Sequence, residues 1–403
     1  MQRLSPSEAN LIARIDGARM LSEVQAWSAI NTGTRNLGGL TAMANLLAQA
    51  FARLPGELAL VEAAPVRAIA ADGSEHWHEH GRHLVLRVRP QAQRRVLLTG
   101  HMDTVFGPND PFQSQRWIDA ATLNGPGVAD MKGGIAVIKA ALCAFEESPA
   151  AALLGYDLLI NSDEETGSLS SAGLLAELAQ GKVAALTYEP SALPDGNLAG
   201  QRGGSNNFSL IVRGRAAHAG RNPADGRNAI VAAAALAVGL KQLERPGLTI
   251  NPARIDGGSA NNVVPDLAVL RFNIRPGTTA IADDFHHDLS VLCDEISGLH
   301  EVSIAIDGGM NRPPKPLDPD ALALFELVRD CGASLGQAIR WQPSGGVCDG
   351  NNIAACGVPV VDTLGVRGGA IHSPDEFLIV PSLAERAALS ALVLHRLALG
   401  EHR

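Results

Sequence analysis

The sequence has no long apolar run, no dense group of basic residues and no CxxC pair, and each absence narrows its function. Nowhere do about 18 apolar residues follow one another, which argues against a membrane-spanning helix. The formal net charge is -9, and without a dense Lys/Arg run it argues against a surface for nucleic acid or anionic membranes. We therefore expect a small-molecule substrate and neither a nucleic-acid nor a membrane partner.

The cysteine content and the first residues of the chain indicate the cellular compartment in which the protein is expected. Five cysteines, an odd number without CxxC spacing, predict neither a disulfide framework nor a cysteine-zinc site. The opening residues, MQRLSPSEANLIARID, contain no apolar stretch of the kind that a secretory signal needs. A cytoplasmic protein is the resulting expectation.

The chain is long enough for about two domains, at roughly 100 to 200 residues each. Apolar runs alternate with helical patterns in its first and last parts, which predicts an α/β layered domain around a mostly buried sheet. The middle has the predicted order β-α-β-β-α-β, which is typical of a ferredoxin-like unit. We therefore predict a discontinuous domain, residues 1–203 and 312–403, and an inserted domain, residues 204–311.

Three consecutive carboxylates, Asp163, Glu164 and Glu165, follow the apolar residues 156–160. A strand that ends in adjacent acids places like charges side by side, and nearby cations make that arrangement tolerable. Because neighbouring side chains diverge, one glutamate can bind a metal ion while the other acts as a general base. The alternative is a plain acidic loop.

Other candidate metal ligands follow or flank further predicted strand ends. His101 follows an apolar run, and Asp103 is close enough to hold one imidazole nitrogen while the other nitrogen binds metal. Asp130 opens DMKGG, where it is either the N-cap of a helix or a bridging ligand. With Glu189 and His372 the set mixes nitrogen and oxygen donors, which suits zinc, cobalt or manganese better than calcium or magnesium.

Seven motifs occur in order along the chain: GHMDTVF, GPGVADMKGG, INSDEETGS, TYEP, GRAAHAG, NNVVP and HSPDE. Together they resemble the di-zinc peptidase and amidohydrolase family of glutamate carboxypeptidase, aminoacylase, acetylornithine deacetylase and succinyl-diaminopimelate desuccinylase. The resemblance covers nearly the whole chain, and the carboxypeptidase G-like branch is the most similar. It implies a three-layer α/β zinc-peptidase domain with an inserted ferredoxin-like dimerisation or lid domain, two Zn²⁺ ions per chain (Co²⁺ or Mn²⁺ as substitutes) and a homodimer.

The resemblance also implies a role for each matching residue of the larger domain. His101 and Glu189 bind one zinc ion, Glu165 and His372 bind the other, and Asp130 bridges the two. Further implied features are Glu164 as general base, Asp103 as the residue that orients His101, and a cis peptide bond after Asp130.

Three residues of the inserted domain match the family as well. The resemblance implies that His218 of the partner subunit donates to the oxyanion, that Asn262 assists it, and that Arg275 pairs with a substrate carboxylate. Arg271 faces the same side of the predicted sheet and competes with Arg275, for which a surface ion pair is the alternative.

The expected reaction is hydrolysis of an amide next to a free carboxylate, in a small peptide or an N-acyl amino acid. A glutamate at position 189 is similar to the residue found there in the carboxypeptidase and acylase branches of the family. This similarity favours cleavage next to a free carboxylate. An N-acetyl or N-succinyl amino acid deacylase is the alternative within the family. Residues 344–351 depart from the Gly-Gly-Gly-Thr-Asp loop of glutamate-releasing relatives, which leaves the substrate side chain open, and Cys348 either lines the pocket or is a buried, inert thiol.

Three further interpretations carry less weight. The histidines of SEHWHEHGRH are more typical of a solvent-facing hairpin tip than of a second metal site. A two-metal phosphoesterase would use similar ligands, but the sequence has no basic or glycine-rich phosphate cradle. A non-catalytic binding protein with this fold would be expected to have lost a ligand or the base, and none is lost here.

Overall fold

The computed structural model describes residues 4–401, which form two compact units. The first unit contains the described residues up to Ala64, then Glu79–Gln201, and those from Pro316 onward. The second unit contains Pro65–His78 and Arg202–Lys315. The outermost residues of the predicted domain, 1–3 and 402–403, lie outside the described residues.

The second unit differs from the predicted inserted domain, residues 204–311, because it includes a hairpin that lies much earlier in the chain. This hairpin is joined to the inserted segment by ionic and hydrogen bonds. Arg67 pairs with Asp307, and the carbonyl oxygen of Ile69 accepts a hydrogen bond from Arg271 Nη2 at 2.9 Å. Assigning residues 65–78 to the larger domain was therefore wrong, since such long-range contacts leave no periodic signal in the sequence.

Ten α-helices and twenty strands lie within residues 4–401. The helices are α1 Pro6–Ile12, α2 Gly17–Ser28, α3 Leu37–Phe51, α4 Gly134–Glu146, α5 Ala172–Ala179, α6 Ala229–Gln242, α7 Thr279–His300, α8 Pro319–Ser334, α9 Asp349–Ala355 and α10 Ser382–Leu399. The strands are β1 Glu57–Val61, β2 Val66–Ile69, β3 Glu75–His78, β4 His83–Val88, β5 Arg95–His101, β6 Arg116–Asp119, β7 Thr122–Asn124, β8 Gly155–Asn161, β9 Ala184–Thr187, β10 Leu198–Arg202, β11 Asn206–Arg213, β12 Ala217–His218, β13 Leu248–Gly257, β14 Val263–Val264, β15 Leu267–Pro276, β16 Ser303–Gly308, β17 Trp341–Ser344, β18 Val360–Val361, β19 Gly368–Gly369 and β20 Phe377–Ile379.

Side-chain caps explain where several helices begin. A short polar side chain before the first turn accepts a hydrogen bond from a backbone N–H that has no partner within the helix. Pro319, which has no N–H group, is suited to the first position of α8 because an N–H there would have no partner within the helix. The capping pairs are Asp16 with Arg19 N, Asn36 with Gly39 N, Thr278 with Ile281 N, and Asp318 with Ala321 N.

The first unit is built around a six-stranded sheet in the order β1-β4-β8-β5-β9-β18. The strands β8, β5, β9 and β18 are parallel, whereas β1 and β4 run antiparallel to their neighbours. Successive residues of β5 enter different cores: Leu98 lies in the cluster that holds Ile138 of α4, and Leu97 lies in the cluster that holds Leu175 of α5. Helices thus cover both faces, and the predicted three-layer α/β architecture is confirmed.

The second unit has an antiparallel four-stranded sheet in the order β13-β15-β11-β16. The helices α6 and α7 contribute to a core in which the rings of Phe208 and Phe272 stack at 5.1 Å. The ring of Phe285, on α7, lies 6.1 Å from that of Phe272. This is the predicted ferredoxin-like arrangement.

The parallel strands fix where functional side chains gather. His101 is paired with Asn161 at the end of β8, and Thr99 of β5 is paired with Thr187 at the end of β9. The residues that follow these three strands therefore leave the sheet at one edge, where α/β proteins usually bind ligands. None of the helices in the described part of the chain is both long and apolar enough to cross a membrane.

Candidate metal centre

Two histidines approach the two oxygens of one buried carboxylate. His101 Nε2 lies 3.0 Å from Asp130 Oδ1, and His372 Nε2 lies 3.3 Å from Asp130 Oδ2. A glutamate stands beside each histidine: Glu189 Oε2 is 3.6 Å from His101 Nε2, and Glu165 Oε2 is 3.2 Å from His372 Nε2. The centre therefore consists of two similar halves that share Asp130.

These distances test whether the residues fit a metal ion. Zinc bonds of about 2.0–2.2 Å in a tetrahedral site place neighbouring ligand atoms roughly 3.3–3.6 Å apart. Of the four separations, those of 3.3 and 3.6 Å fall within this range, and those of 3.0 and 3.2 Å are slightly shorter. Two three-residue groups among residues 4–401, His101 with Asp130 and Glu165, and His101 with Glu164 and Glu189, bring their donor atoms within 4.8 Å of one another. The residues present fit metal ions.

Asp130 reaches the centre from a turn and not from a helix start. The peptide bond between Asp130 and Met131 is cis, as the resemblance implied. The helix α4 begins only at Gly134, and its N-cap is Gly133, so the alternative of Asp130 as an N-cap is excluded. A Cβ on Gly134 would lie 2.1 Å from the carbonyl oxygen of Tyr188, so glycine is needed where this helix meets the end of β9.

Asp103 is fully buried, and it contacts both His101 and the acidic loop, which is the segment formed by Asp163, Glu164 and Glu165. His101 Nδ1 donates to the carbonyl oxygen of Asp103 at 3.1 Å, while the Asp103 carboxylate lies at 3.4 Å. That carboxylate accepts hydrogen bonds from Thr34 Oγ1 at 2.7 Å and from the backbone N–H groups of Glu164 and Glu165, each at 3.2 Å. Asp103 thus contacts His101 mainly through its backbone, and its side chain shapes the loop that carries both glutamates.

The charges of the centre are strongly coupled. Burial, together with the charge of Asp130, raises the pKa of Glu165 to about 7, and burial raises the pKa of Glu189. Although burial opposes it, the neighbouring carboxylates raise the pKa of His101, and the hydrogen bonds that His372 donates to Asp130 and Glu165 raise the pKa of His372 to about 11. Cations close to these acids, either protonated histidines or metal ions, would balance their charge.

His372 differs from the other members because it is half exposed, at 53% of its side-chain surface. Its backbone has a φ of 61°, in the left-handed region that non-glycine residues rarely adopt. The other four donor side chains are buried to at least 86%. The centre is therefore open to solvent on the side of His372.

Asp163 does not belong to the centre, although the sequence placed it with Glu164 and Glu165. Its Oδ2 accepts hydrogen bonds from the backbone N–H groups of Ser170 and Ser171, and its Oδ1 accepts one from Ser171 Oγ. Burial raises its pKa to about 6. The expectation that all three acids need cations was wrong for Asp163, since backbone amides stabilise its carboxylate instead.

Two buried carboxylates near the centre were not predicted. Glu376, the last residue of HSPDE, accepts hydrogen bonds from three backbone N–H groups of the turn that ends at Asp130. The second carboxylate is Asp349, the first residue of α9, which accepts hydrogen bonds from Asn161 Nδ2 at 2.6 Å and from Ser168 Oγ at 2.5 Å. The signal that could have identified Glu376 was its place in the HSPDE motif, which begins with the candidate ligand His372. Cys348, beside Asp349, is buried at 2% exposure, as its inert-thiol reading expects.

The candidates of the inserted domain lie in the second unit, and all three are exposed. His218 and Asn262 are neighbours, because the carbonyl oxygen of Asn262 accepts a hydrogen bond from Ala219 N at 2.9 Å. His218 Nδ1 accepts from two backbone N–H groups, which leaves the proton of the neutral ring on Nε2. Arg271 is held by Asp256 and the Ile69 carbonyl, whereas Arg275 donates to Asn273 Oδ1 at 2.9 Å.

The histidine-rich segment divides between the two units. His76 is exposed on β3, and none of the segment's histidines belongs to either metal-type group found in residues 4–401. His83 corrects the prediction of a solvent-facing tip, because it is 1% exposed and its Nδ1 accepts from the backbone N–H of Ser162 at 3.3 Å. It thereby supports the residue that precedes the acidic loop.

The comparisons with known proteins agree with this fold and show the family. Residues 97–396 match the family model described as peptidase family M20/M25/M40, so the chain belongs to that family of metallopeptidases. The predicted family is confirmed, and so is the prediction of an enzyme: the chain is a hydrolase.

Individual relatives show the range of activities within the family. Carboxypeptidase G2 of Pseudomonas sp. strain RS-16 is 28% identical over 333 residues, which cover 80% of this chain and 78% of the relative. Succinyl-diaminopimelate desuccinylase of Xanthomonas oryzae pv. oryzae is 30% identical over 324 residues, or 75% and 83% of the two chains. A tripeptidase structure from Staphylococcus aureus superposes with a TM-score of 0.74 at 21% identity, covering 96% and 100%, and shows the likeness of fold.

His83 generates a prediction about stability and pH. Burial, with the charge of His80, lowers the pKa of His83 to about 4, compared with about 6.5 in an unfolded chain. Below pH 6.5, His83 is therefore protonated in the unfolded chain, whereas in the folded chain it stays neutral until the pH falls to about 4. Its contribution to stability is present above pH 6.5 and is lost as the pH falls, by about 2 kcal/mol at pH 5.0.

The measurement is urea unfolding at pH 7.5 and pH 5.0. His83→Asn keeps an acceptor for the Ser162 N–H but cannot titrate, so its loss of stability between the two pH values should be about 2 kcal/mol smaller than that of the wild type. His76→Asn, at an exposed position, is the matched control and should respond like the wild type. An equal pH response of the His83 variant would contradict the assignment.

Proposed function

We propose that the protein is a two-metal hydrolase that cleaves an amide bond next to a free carboxylate, in a small peptide or an N-acyl amino acid. The observation that carries this proposal is the pairing at Asp130, whose two carboxylate oxygens each face a different histidine at 3.0 and 3.3 Å. A carboxylate that serves two imidazoles in this way is suited to bridge two cations.

The proposed ligands follow the two halves of the centre. His101 and Glu189 would hold one ion, His372 and Glu165 would hold the other, and Asp130 would be shared by both. The mixed set of nitrogen and oxygen donors suits Zn²⁺, with Co²⁺ or Mn²⁺ as substitutes. Bound there, the two ions would supply Lewis-acid activation of a water molecule and of the substrate carbonyl.

Glu164 is the proposed general base. Its carboxylate lies within 4.8 Å of the donor atoms of His101 and Glu189, and Asp103 holds its backbone N–H at 3.2 Å. In this role Glu164 takes a proton from the attacking water and passes it to the nitrogen of the leaving amine. Because Asp103 also binds Glu165 N, one buried carboxylate would set the positions of both the base and a ligand.

The second unit supplies the proposed substrate contacts. His218, whose ring carries its proton on Nε2 when neutral, is suited to donate to an oxyanion from the partner subunit, with Asn262 beside it. Arg275 is the better candidate than Arg271 for a substrate carboxylate, because the Arg271 guanidinium already pairs with Asp256. Homodimerisation and a cytoplasmic location stay predictions of the sequence.

The second candidate function is removal of an N-succinyl or N-acetyl group from an amino acid. It is supported by the 30% identity to succinyl-diaminopimelate desuccinylase over 75% of this chain, which is comparable to the 28% identity to carboxypeptidase G2 over 80% of it. Both reactions use the same centre and the same base, and they differ in the groups on either side of the amide. The alternative interpretation as a two-metal phosphoesterase gains no support from membership of a peptidase family.

A substrate panel tests the proposal directly. Release of free amino acid is measured from an N-acyl glutamate, N-acetylornithine and a dipeptide, with and without a metal chelator. We expect chelator-sensitive turnover of at least one compound. Preference for the acylated ornithine would favour the deacylase, and absence of turnover on all three would contradict both candidate functions.

Replacement of Glu164 tests the assignment of the base. Glu164→Gln preserves shape but cannot accept a proton, so kcat should fall by about 10²- to 10⁴-fold while the metal content per chain stays at the wild-type value. Glu177→Gln, at an exposed position on α5, is the matched control and should retain wild-type kcat. Retained activity in the Glu164 variant would show that another group is the base.

A further inference from the structure

We propose that Glu376 is the positioning residue that aims Asp130 at both histidines, an inference that rests on the proposed two-metal function. Glu376 is fully buried. Its Oε2 accepts a hydrogen bond from Gly127 N at 3.1 Å, and its Oε1 accepts hydrogen bonds from Ala129 N at 2.9 Å and Asp130 N at 3.0 Å. One carboxylate therefore closes the backbone of the turn that carries Asp130.

The turn needs this external acceptor because its own backbone conformation is irregular. Gly127 has a φ of 70°, and the φ and ψ angles of Asp130, -113° and 90°, are not helical. Three buried N–H groups of the turn point to the Glu376 carboxylate, and without that carboxylate they would lose these partners where water is excluded. The direction of the Asp130 side chain depends on this backbone.

Glu376 is itself firmly anchored. Its carbonyl oxygen accepts hydrogen bonds from Asn124 Nδ2 at 2.7 Å and from Gly125 N at 3.3 Å, and its N–H donates to Ser373 O at 3.1 Å. The next residue opens β20, which pairs with β7. The carboxylate is thus presented from a rigid position and can act as a template for the turn.

The position of Glu376 in the chain links two members of the centre. It lies four residues after His372, in the same HSPDE segment. The loop that carries His372 consequently also fixes the turn that carries Asp130, and these two residues contact each other at 3.3 Å. Partners that orient the ligands of a metal ion typically change its affinity about ten- to hundredfold when they are lost.

Glu376 is distinguished from a metal ligand by its contacts. Both of its oxygens are used by backbone N–H groups, and neither three-residue donor group of the described residues includes it. It acts on the reaction only through Asp130. Its loss should therefore weaken metal binding and kcat while KM changes little.

The test uses Glu376→Gln in the full chain. The amide keeps one acceptor oxygen but turns an NH₂ donor toward one of the three N–H groups, so the turn must shift. We expect Co²⁺ affinity, measured by competition with a chelator, to fall about ten- to hundredfold. The visible Co²⁺ spectrum should change, and kcat should fall with KM within about twofold of the wild type.

Asp157→Asn separates positioning from general stability. Asp157 is equally buried but pairs with Lys182 and Arg95, away from the turn. Its replacement should lower the melting temperature and leave Co²⁺ affinity and spectrum unchanged. If Glu376→Gln does not fold by circular dichroism, Glu376→Asp takes its place, since the shorter carboxylate cannot reach all three N–H groups.

The outcomes separate this inference from the proposed function. Wild-type Co²⁺ affinity and spectrum in the Glu376 variant, or a change in melting temperature alone, would overturn the positioning role and leave the two-metal centre standing. A wild-type chain that binds no Co²⁺ would overturn both. Weakened binding with a changed spectrum, absent from Asp157→Asn, would support the inference.

Discussion

The concentration of carboxylates at one edge of the main sheet is the constraint on which the rest of the first unit depends. Parallel strands bring their carboxyl ends together, and several acids follow these ends in a region that excludes water. Buried like charges are unstable unless cations or hydrogen-bond donors balance them. The acids divide into an inner group that faces the histidines and an outer group that faces N–H and O–H donors. The inner group is Asp130, Glu164, Glu165 and Glu189, and the outer group is Asp103, Asp163, Asp349 and Glu376.

The outer group shows how the fold controls the inner one. Asp103 binds the backbone of Glu164 and Glu165, Asp163 binds the N–H groups at the start of α5, and Glu376 binds the turn of Asp130. Asp103 and Glu376 thus hold the backbone of an inner carboxylate directly, whereas Asp163 holds backbone further along the loop that carries Glu164 and Glu165. Buried hydrogen bonds therefore hold the backbone at Asp130, Glu164 and Glu165, which is the kind of preorganisation that catalysis requires.

The sequence predicted the layered fold, the ferredoxin-like insert and the residues that converge on the centre, because strand-end position and residue type are local properties. It missed the role of Glu376, because a carboxylate that binds backbone amides has no spacing signal. It also did not identify α10, which is buried on nearly every side with its polar residues Arg386, Ser390 and Arg396 included, so burial in this helix does not follow residue type. The hairpin at residues 65–78 was misassigned because only tertiary contacts join it to the second unit.

The central claim is that Asp130 bridges two metal ions, and anomalous scattering from crystals grown with zinc tests it most directly. The account predicts two peaks per chain, one bound by His101 and Glu189 and the other by His372 and Glu165, with Asp130 bound to both. Two peaks that do not share Asp130, a single peak within this cluster, or none, would contradict it.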